Sequence, residues 1–378
     1  ELPTISPEET ASPTTALTLG MDGGHHTLIL PSADTRIRDV EVLGGALLSG
    51  PEDLLYSTFL GSYNKQDVGF EVEFDQDGTL LLVGTTYGVA FPITPGAFDQ
   101  VFQGLTEGFV ARLDPSLSGS YSLVYSTFIG GSLDDGGYGI APSPSGDGTV
   151  YIGGYTSSAD FPTTEGAYDR DLTGTADAFV ARLAAGGNIL LYSTYLGGTQ
   201  GDWGIAVAVD PSSSGTAYIT GTTNSPDFPT TAGAYQRSPS DSACGTIGDA
   251  YVTAFNSAGS GLVYSTYLGG SCMDRAHAIA AHPGGDGDVY ITGHTQSSDF
   301  PTTEGAFDRL PEGGGDSYAA RLNASGSDLV YSTFLSGLTD GGSYSYTYAA
   351  DVAIDSLGSA FIAGDTQSTN FATAGAFQ

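Results

Sequence analysis

The sequence predicts an all-β ring of repeated units, and three observations predict it. The segment YSTFLG at Tyr56 returns as YSTFIG at Tyr125, YSTYLG at Tyr192 and Tyr264, and YSTFLS at Tyr331, in steps of 69, 67, 72 and 67 residues. Two other landmarks keep the same beat. Phe-Pro stands at Phe91, Phe161, Phe228 and Phe300, with Phe371 followed by Ala372 in the fifth place, and Gly-Ala-aromatic ends at Phe98, Tyr168, Tyr235, Phe307 and Phe377. Within each unit, short apolar and β-branched runs alternate with Gly, Pro, Ser and Asp turns, and no run carries a helical period over three turns. A fixed period of this size marks a repeat architecture, in which each unit buries its apolar face on its neighbours. Four-stranded antiparallel units in tandem read as blades, so the fold class is an all-β, five-bladed β-propeller. A β-solenoid would need much shorter coils.

The chain begins with ELPTISPEETASPTT, a Pro- and Thr-rich stretch with little to bury. ALTLG and HTLILP follow, two strand-like runs around the turn MDGGH. Residues 1–37 form this linker and arm, and 38–378 form the propeller. The best-behaved unit runs from Asp177 to Thr223 as DAFVARL, a Gly turn, ILLYSTYLGG, GIAVAVD, the turn PSSSG and AYITGTT. By analogy with quinoprotein-type propellers, GIAVAVD is innermost, AYITG second, DAFVARL third and ILLYSTYLG outermost. A rival frame puts DAFVARL innermost. The loop SPDFPTTAGAYQ offers one helical turn capped by a threonine. The fifth unit stops at Phe377-Gln378, before its DAFVARL segment, while DVEVLGGALLSGPEDLLYSTFLG from Asp39 aligns with GFVARLDPSLSGSYSLVYSTFIG from Gly108. N-terminal strands are therefore expected to complete the last blade and close the ring without a free edge.

Composition narrows the functions. The 378 residues include 43 acidic and 10 basic side chains, a formal net charge of −33, and Lys65 is the only lysine. Such a surface repels nucleic acid and anionic membranes. No run of eighteen apolar residues is present to span a membrane. The chain carries no GxSxG, Walker loop or dinucleotide fingerprint. His25, His26, His277, His282 and His294 lack metal-ligand spacing; His277 and His282 lie near a proposed inner strand, where the readings are a structural or solvent-facing role and, as the alternative, a place in the channel lining. A glycosidase in the channel would need unique acids in particular blades, and the acids are mostly periodic. No catalytic, cofactor-binding or metal residue is assigned on these grounds, and the reading is non-enzymatic. Trp203 beside an inner strand reads as core.

Two features bear on sites. Cys244 and Cys272 flank the hairpin of DAYVTAF and LVYSTYL. If Phe255 faces Leu262, the residue opposite Cys272 is 245, one step from Cys244, which is disulfide geometry and implies an oxidising compartment. The aspartates also repeat: Asp160, Asp227 and Asp299 precede Phe-Pro, Asp177, Asp249 and Asp316 open the DAF strand, and Asp134, Asp135, Asp202, Asp274 and Asp340 sit in short loops. Carboxylates among glycine-loop carbonyls are what calcium needs, so those last five are the calcium candidates. The bland reading is turn capping, and no EF-hand spacing appears.

The ordered string YST-[FY]-LGG, IAVD, G-x-x-Y-I-T-G, D-F-P-T-T-x-G-A-[FY] and DAFVARL resembles the bacterial beta-propeller repeat family called SBBP, over residues 39–378. VAFPITPGAF departs from it before Phe91, and NFATAGAF lacks the proline. The resemblance implies a secreted or surface-exposed propeller and no particular activity. The expected function is thus an exported structural or adhesive protein, extracellular or at the cell surface, self-associating through residues 1–37 into a filament or surface layer by strand addition. The bland alternative folds the arm against its own ring. A lectin-like, glycan-binding propeller is the alternative function, and a glycan-active enzyme the third.

Overall fold

The computed structural model describes residues 15–21, 24–30, 56–63, 65–212, 214–240, 244, 248–311, 315–337, 347–368 and 371. Six sheets are seen among them. Strands β1 (Thr15–Met21) and β2 (Gly24–Leu30) form an antiparallel hairpin, and β3 (Tyr56–Thr58) lies parallel to β1 with Leu17 opposite Tyr56. Blade one is β4 (Asp67–Phe74), β5 (Leu80–Thr86), β6 (Glu107–Leu113) and β7 (Leu123–Ile129). Blade two is β8 (Asp135–Pro142), β9 (Val150–Thr156), β10 (Asp177–Leu183) and β11 (Leu190–Leu196). Blade three is β12 (Asp202–Val209), β13 (Ala217–Thr223), β14 (Asp249–Phe255) and β15 (Leu262–Leu268). Blade four is β16 (Asp274–Ala281), β17 (Val289–Thr295), β18 (Asp316–Leu322) and β19 (Leu329–Leu335). The fifth sheet is β20 (Thr347–Ile354) paired with β21 (Ala360–Thr366).

Each full blade is an antiparallel meander in sequence order, and its first strand packs on the first strand of the next blade. GIAVAVD is therefore innermost and YST outermost, which removes the rival frame. The apolar residues lie between blades rather than within a single centre. Val83 and Phe179 share one cluster across blades one and two, Val180 and Tyr251 another across two and three, and Val252 and Tyr318 a third across three and four. This follows from strand alternation: both faces of a blade are covered, so second strands such as LLLVGTT and AYITGTT are buried along their whole length.

The last blade differs. β21 is mostly exposed, where its counterparts β5, β13 and β17 are wholly buried. Tyr56–Thr58, expected in the outermost strand of that blade, pairs with the edge of β1 instead. Three residues of backbone pairing specify partner and register weakly. The rest of the expected closing segment, 39–55, lies outside the described residues, as do most of 1–37 and the arm's boundary.

The recurring motifs prove to be lacing. Thr94, Thr164, Thr231 and Thr303 of the Phe-Pro loops donate backbone N–H bonds to the carbonyls of Ser126, Ser193, Ser265 and Ser332 in the YST strands. The aromatic N–H that follows Gly-Ala reaches the next blade: Phe98 to Gly187 O, Tyr168 to Gly259 O and Tyr235 to Gly326 O, at 2.7–2.9 Å. The TTAGAY stretch is a turn and extended loop, not a helical turn, because its Thr231 is held to Ser265 through both backbone and hydroxyl.

Candidate functional site

All five inner strands carry a register shift at the same place, between Gly69 and Glu71, Gly137 and Gly139, Gly204 and Ala206, Ala276 and Ala278, and Ala349 and Asp351. A bulge of this kind leaves one residue unpaired and re-aims its side chain. The skipped residues are Phe70, Tyr138, Ile205, His277 and Ala350, and all five line one central cavity of about 220 Å³. The repeat thus presents one position per blade to the channel, and these five residues differ from one another. Small neighbours make room: a Cβ on Gly137 or Gly139 would lie 2.5 Å from Val83 Cγ2 or 2.7 Å from the Val207 nitrogen.

The lining is asymmetric. Phe70 and Tyr138 meet at 4.3 Å between ring centroids, Tyr138 stacks on Tyr155 at 5.7 Å, and His277 stacks on Tyr348 at 4.2 Å. The His277 Nδ1 lies 3.0 Å from the Ala349 carbonyl, and burial pushes the imidazole down to about 4. Glu71 and Asp351, from the first and last inner strands, also line the cavity. Gly139, Ala206 and Ala278 occupy the equivalent position in the other blades. The Ile140 N–H donates to Glu71 Oε2 at 2.6 Å. Partial burial first, then Glu73 and Asp351, raises the Glu71 carboxyl well above its ordinary value, and desolvation by the channel wall with Asp351 raises Glu73, whose side chain is itself exposed, to about 7. A protonated carboxyl beside aromatic faces can donate to a ligand oxygen, while the rings offer stacking area.

The expected site residues lie elsewhere. Asp135, Asp202 and Asp274 open the inner strands and are buried, while Asp134 is half-buried beside the Thr106 hydroxyl at 3.2 Å. Asp340 lies outside the described residues. Asp135 Oδ2 accepts from Gly131 N–H and the Ser158 hydroxyl. Asp202 Oδ2 does the same with Gly198 and Ser225, and Asp274 Oδ2 with Gly270 and Ser297. Asp160, Asp227 and Asp299 each accept an N–H and a hydroxyl at 2.8–2.9 Å from Ser132, Thr199 and Ser271, which holds their carboxyls below the ordinary value. Those three are turn caps.

Cys244 and Cys272 form a disulfide with Cα atoms 5.2 Å apart. Phe255 does face Leu262, but a bulge between Ala254 and Phe255 moves the remaining pairs by one, so Tyr251 faces Tyr267. His282 pairs with Asp286 at 3.1 Å, and His294 Nδ1 lies 3.2 Å from the Thr347 carbonyl. Trp203 is half-buried over Gly201. Among the described residues, no helix is long and apolar enough to cross a membrane.

Four four-stranded blades and a fifth, two-stranded sheet about one channel define a β-propeller. The family model described as Beta-propeller repeat, SBBP, matches residues 191–229 and 336–372. These two segments carry the repeat of the SBBP beta-propeller type. No curated protein matches it.

Proposed function

We propose that the protein is an exported structural or adhesive propeller, a subunit of an extracellular filament or surface layer joined through residues 1–37. The observation that carries this reading is the open outer edge of β21 among the described residues, next to a mostly exposed strand face. An uncovered edge is a template for strand addition from another chain, and a head-to-tail contact of that kind propagates into a fibre. The Cys244–Cys272 disulfide supports export, since such bonds persist in oxidising compartments. The net charge of −33 supports a life in solution or salt rather than on nucleic acid. Electron microscopy of the intact chain and of a form lacking residues 1–37 tests the proposal. Filaments from the first and none from the second are expected, and isolated rings in both would overturn it.

A second reading is favoured by the channel. Five non-repeated bulge residues, three of them in contact with another ring, with Glu71 and Asp351 beside them, suit a carbohydrate ligand. Saturable glycan binding by single rings, lost in Phe70→Ala, is its expected result. Turnover of a glycan abolished by Glu71→Gln would place an enzyme there instead.

A further inference from the structure

Three seams between neighbouring blades hold a pair of buried carboxylates. Glu107 of β6 meets Asp135 of β8, Asp177 of β10 meets Asp202 of β12, and Asp249 of β14 meets Asp274 of β16. Each pair closes over one glycine. A Cβ on Gly197 would lie 2.5 Å from Asp177 Oδ1 and 2.8 Å from Asp202 Oδ2. On Gly269 it would lie 3.0 Å from Asp249 Oδ1 and 2.8 Å from Asp274 Oδ2, and on Gly130 3.2 Å from Glu107 Cγ and 2.9 Å from Asp135 Oδ2. Among the described residues, no lysine or arginine pairs with any of the six. In the first seam, Glu107 and Asp135 are both 0% exposed. Glu107 Oε1 takes the N–H groups of Gln103 and Gly104, but Oε2 has no hydrogen-bond partner, and Asp135 Oδ1 also makes no bond, although the Thr156 hydroxyl stands beside it. Asp202 Oδ1 and Asp274 Oδ1 likewise make no bond of good geometry in the other two seams, with the hydroxyls of Thr223 and Thr295 beside them.

Buried oxygens of like charge need a counter-charge or a donor. Carbonyl oxygens gather close by. A Cβ on Gly104 would lie 2.0 Å from Leu133 O and 3.2 Å from Gly131 O, and one on Gly174 would lie 1.7 Å from Gln200 O and 2.9 Å from Gly198 O. These are the same two glycines whose N–H groups hold Glu107 and Asp177. Two carboxylates with loop carbonyls form an all-oxygen donor set, which suits a hard divalent cation completed by water. No group of three His, Cys, Asp or Glu side chains able to hold a metal exists among the described residues, so carbonyls and water must supply the remaining ligands. The seam between blades four and five lacks the second acid: Thr347 stands where the others have aspartate, and its hydroxyl accepts the Ser317 N–H.

We infer that the three two-carboxylate seams are sites for a calcium-class divalent cation that staples adjacent blades, and that the Asp316–Thr347 seam is not. The test is isothermal titration of the full chain, stripped with chelator, with calcium chloride at physiological salt, together with thermal melting at a series of free calcium concentrations. Three sites are expected, and the apparent Tm should climb with each tenfold rise in free calcium. Glu107→Gln keeps the side-chain volume and should remove one site and part of the calcium-dependent rise. Asp160→Asn, a turn cap on the surface, should leave the stoichiometry at three. A Tm indifferent to calcium, or a stoichiometry unchanged by Glu107→Gln, would overturn the inference and assign the pairs to a shared proton.

Discussion

The Phe-Pro anchors permit a measurement that separates covered blades from an open one. Phe228 is 3% exposed and packs at 4.4 Å from the Tyr251 ring and 5.9 Å from that of Tyr267. Its N–H donates to the Tyr267 hydroxyl at 3.0 Å, and that hydroxyl donates to Ser225 O. Phe228→Ala removes a ring the surrounding aromatics cannot replace, so it should cost about 3–5 kcal/mol, transfer plus cavity. Phe371 holds the same position in the fifth unit but is 44% exposed. It has roughly half the transfer energy to lose and opens no cavity, so Phe371→Ala should cost about 1 kcal/mol or less. With an unfolding entropy near 2.1 cal/mol/K per residue, a chain this long loses about 1.3 °C of Tm per kcal/mol. The expected shifts are about 4–6 °C for Phe228→Ala and about 1 °C for Phe371→Ala, read by calorimetry on dilute protein. Equal shifts would refute the reasoning and show that the fifth unit is covered in solution. A Phe371→Ala penalty that grows with protein concentration would put the cover in a neighbouring copy.

Other outcomes follow from named groups. Arg112 bonds Asp75 at 2.6 Å and Gly148 O at 2.8 Å, with both charged side chains almost fully buried. Arg112→Met should therefore cost about 3–5 kcal/mol in guanidinium unfolding by leaving Asp75 uncompensated, and adding Asp75→Asn should recover much of it. The channel acids give a pH dependence. Glu71 and Glu73 have raised folded values, so the stability they contribute is full below their ordinary 4.5 and, for Glu73, is lost as pH rises through about 7. His277 acts oppositely between 6.5 and about 4, being lost as pH falls. Asp351, Tyr138 and Tyr348 are the other titratable groups among the described residues that line the channel. In chelator, Tm should fall between pH 6.5 and 8, and Glu71→Gln with Glu73→Gln should flatten that slope. An unchanged slope in the double variant would contradict the assignment.

Much of the fold was legible because lacing repeats. Phe-Pro-x-Thr, Gly-Ala-aromatic and Tyr-Ser-Thr recur because each joins the same backbone atoms in successive units, so their spacing reports the ring. The strand order was open to argument by analogy and was fixed only by which strands face each other. The disulfide was legible from a register that held at one pair, since the bulge beyond Phe255 cannot be read from alternation. Of the channel lining only His277 was legible, from its place near an inner strand. Phe70, Tyr138, Ile205, His277 and Ala350 share no residue type, so a search for periodic motifs passes over them. Their signal is the opposite one: a position that varies while, in the middle three blades, the residues on either side of it stay Gly or Ala.

The same difference sets the end units apart from the middle ones. Lacing positions are filled alike in the middle units, and the departures cluster in the first and last. Ala90 replaces the aspartate before Phe91, Glu107 replaces an aspartate, and Thr347 replaces the aspartate that opens the other inner strands. Glu71, Glu73 and Asp351 belong to the same two units, and Asp351 acts on both glutamates. A repeat protein can change its end units at least cost to the array, since each has a neighbour packed on one side by the regular pattern. The channel's charge and the edge of β21, open among the described residues, thus arise in the two units at the ring's closure. A ligand in that channel and a strand on that edge would both act on the same junction, so binding of one should alter binding of the other, by the same factor in each direction.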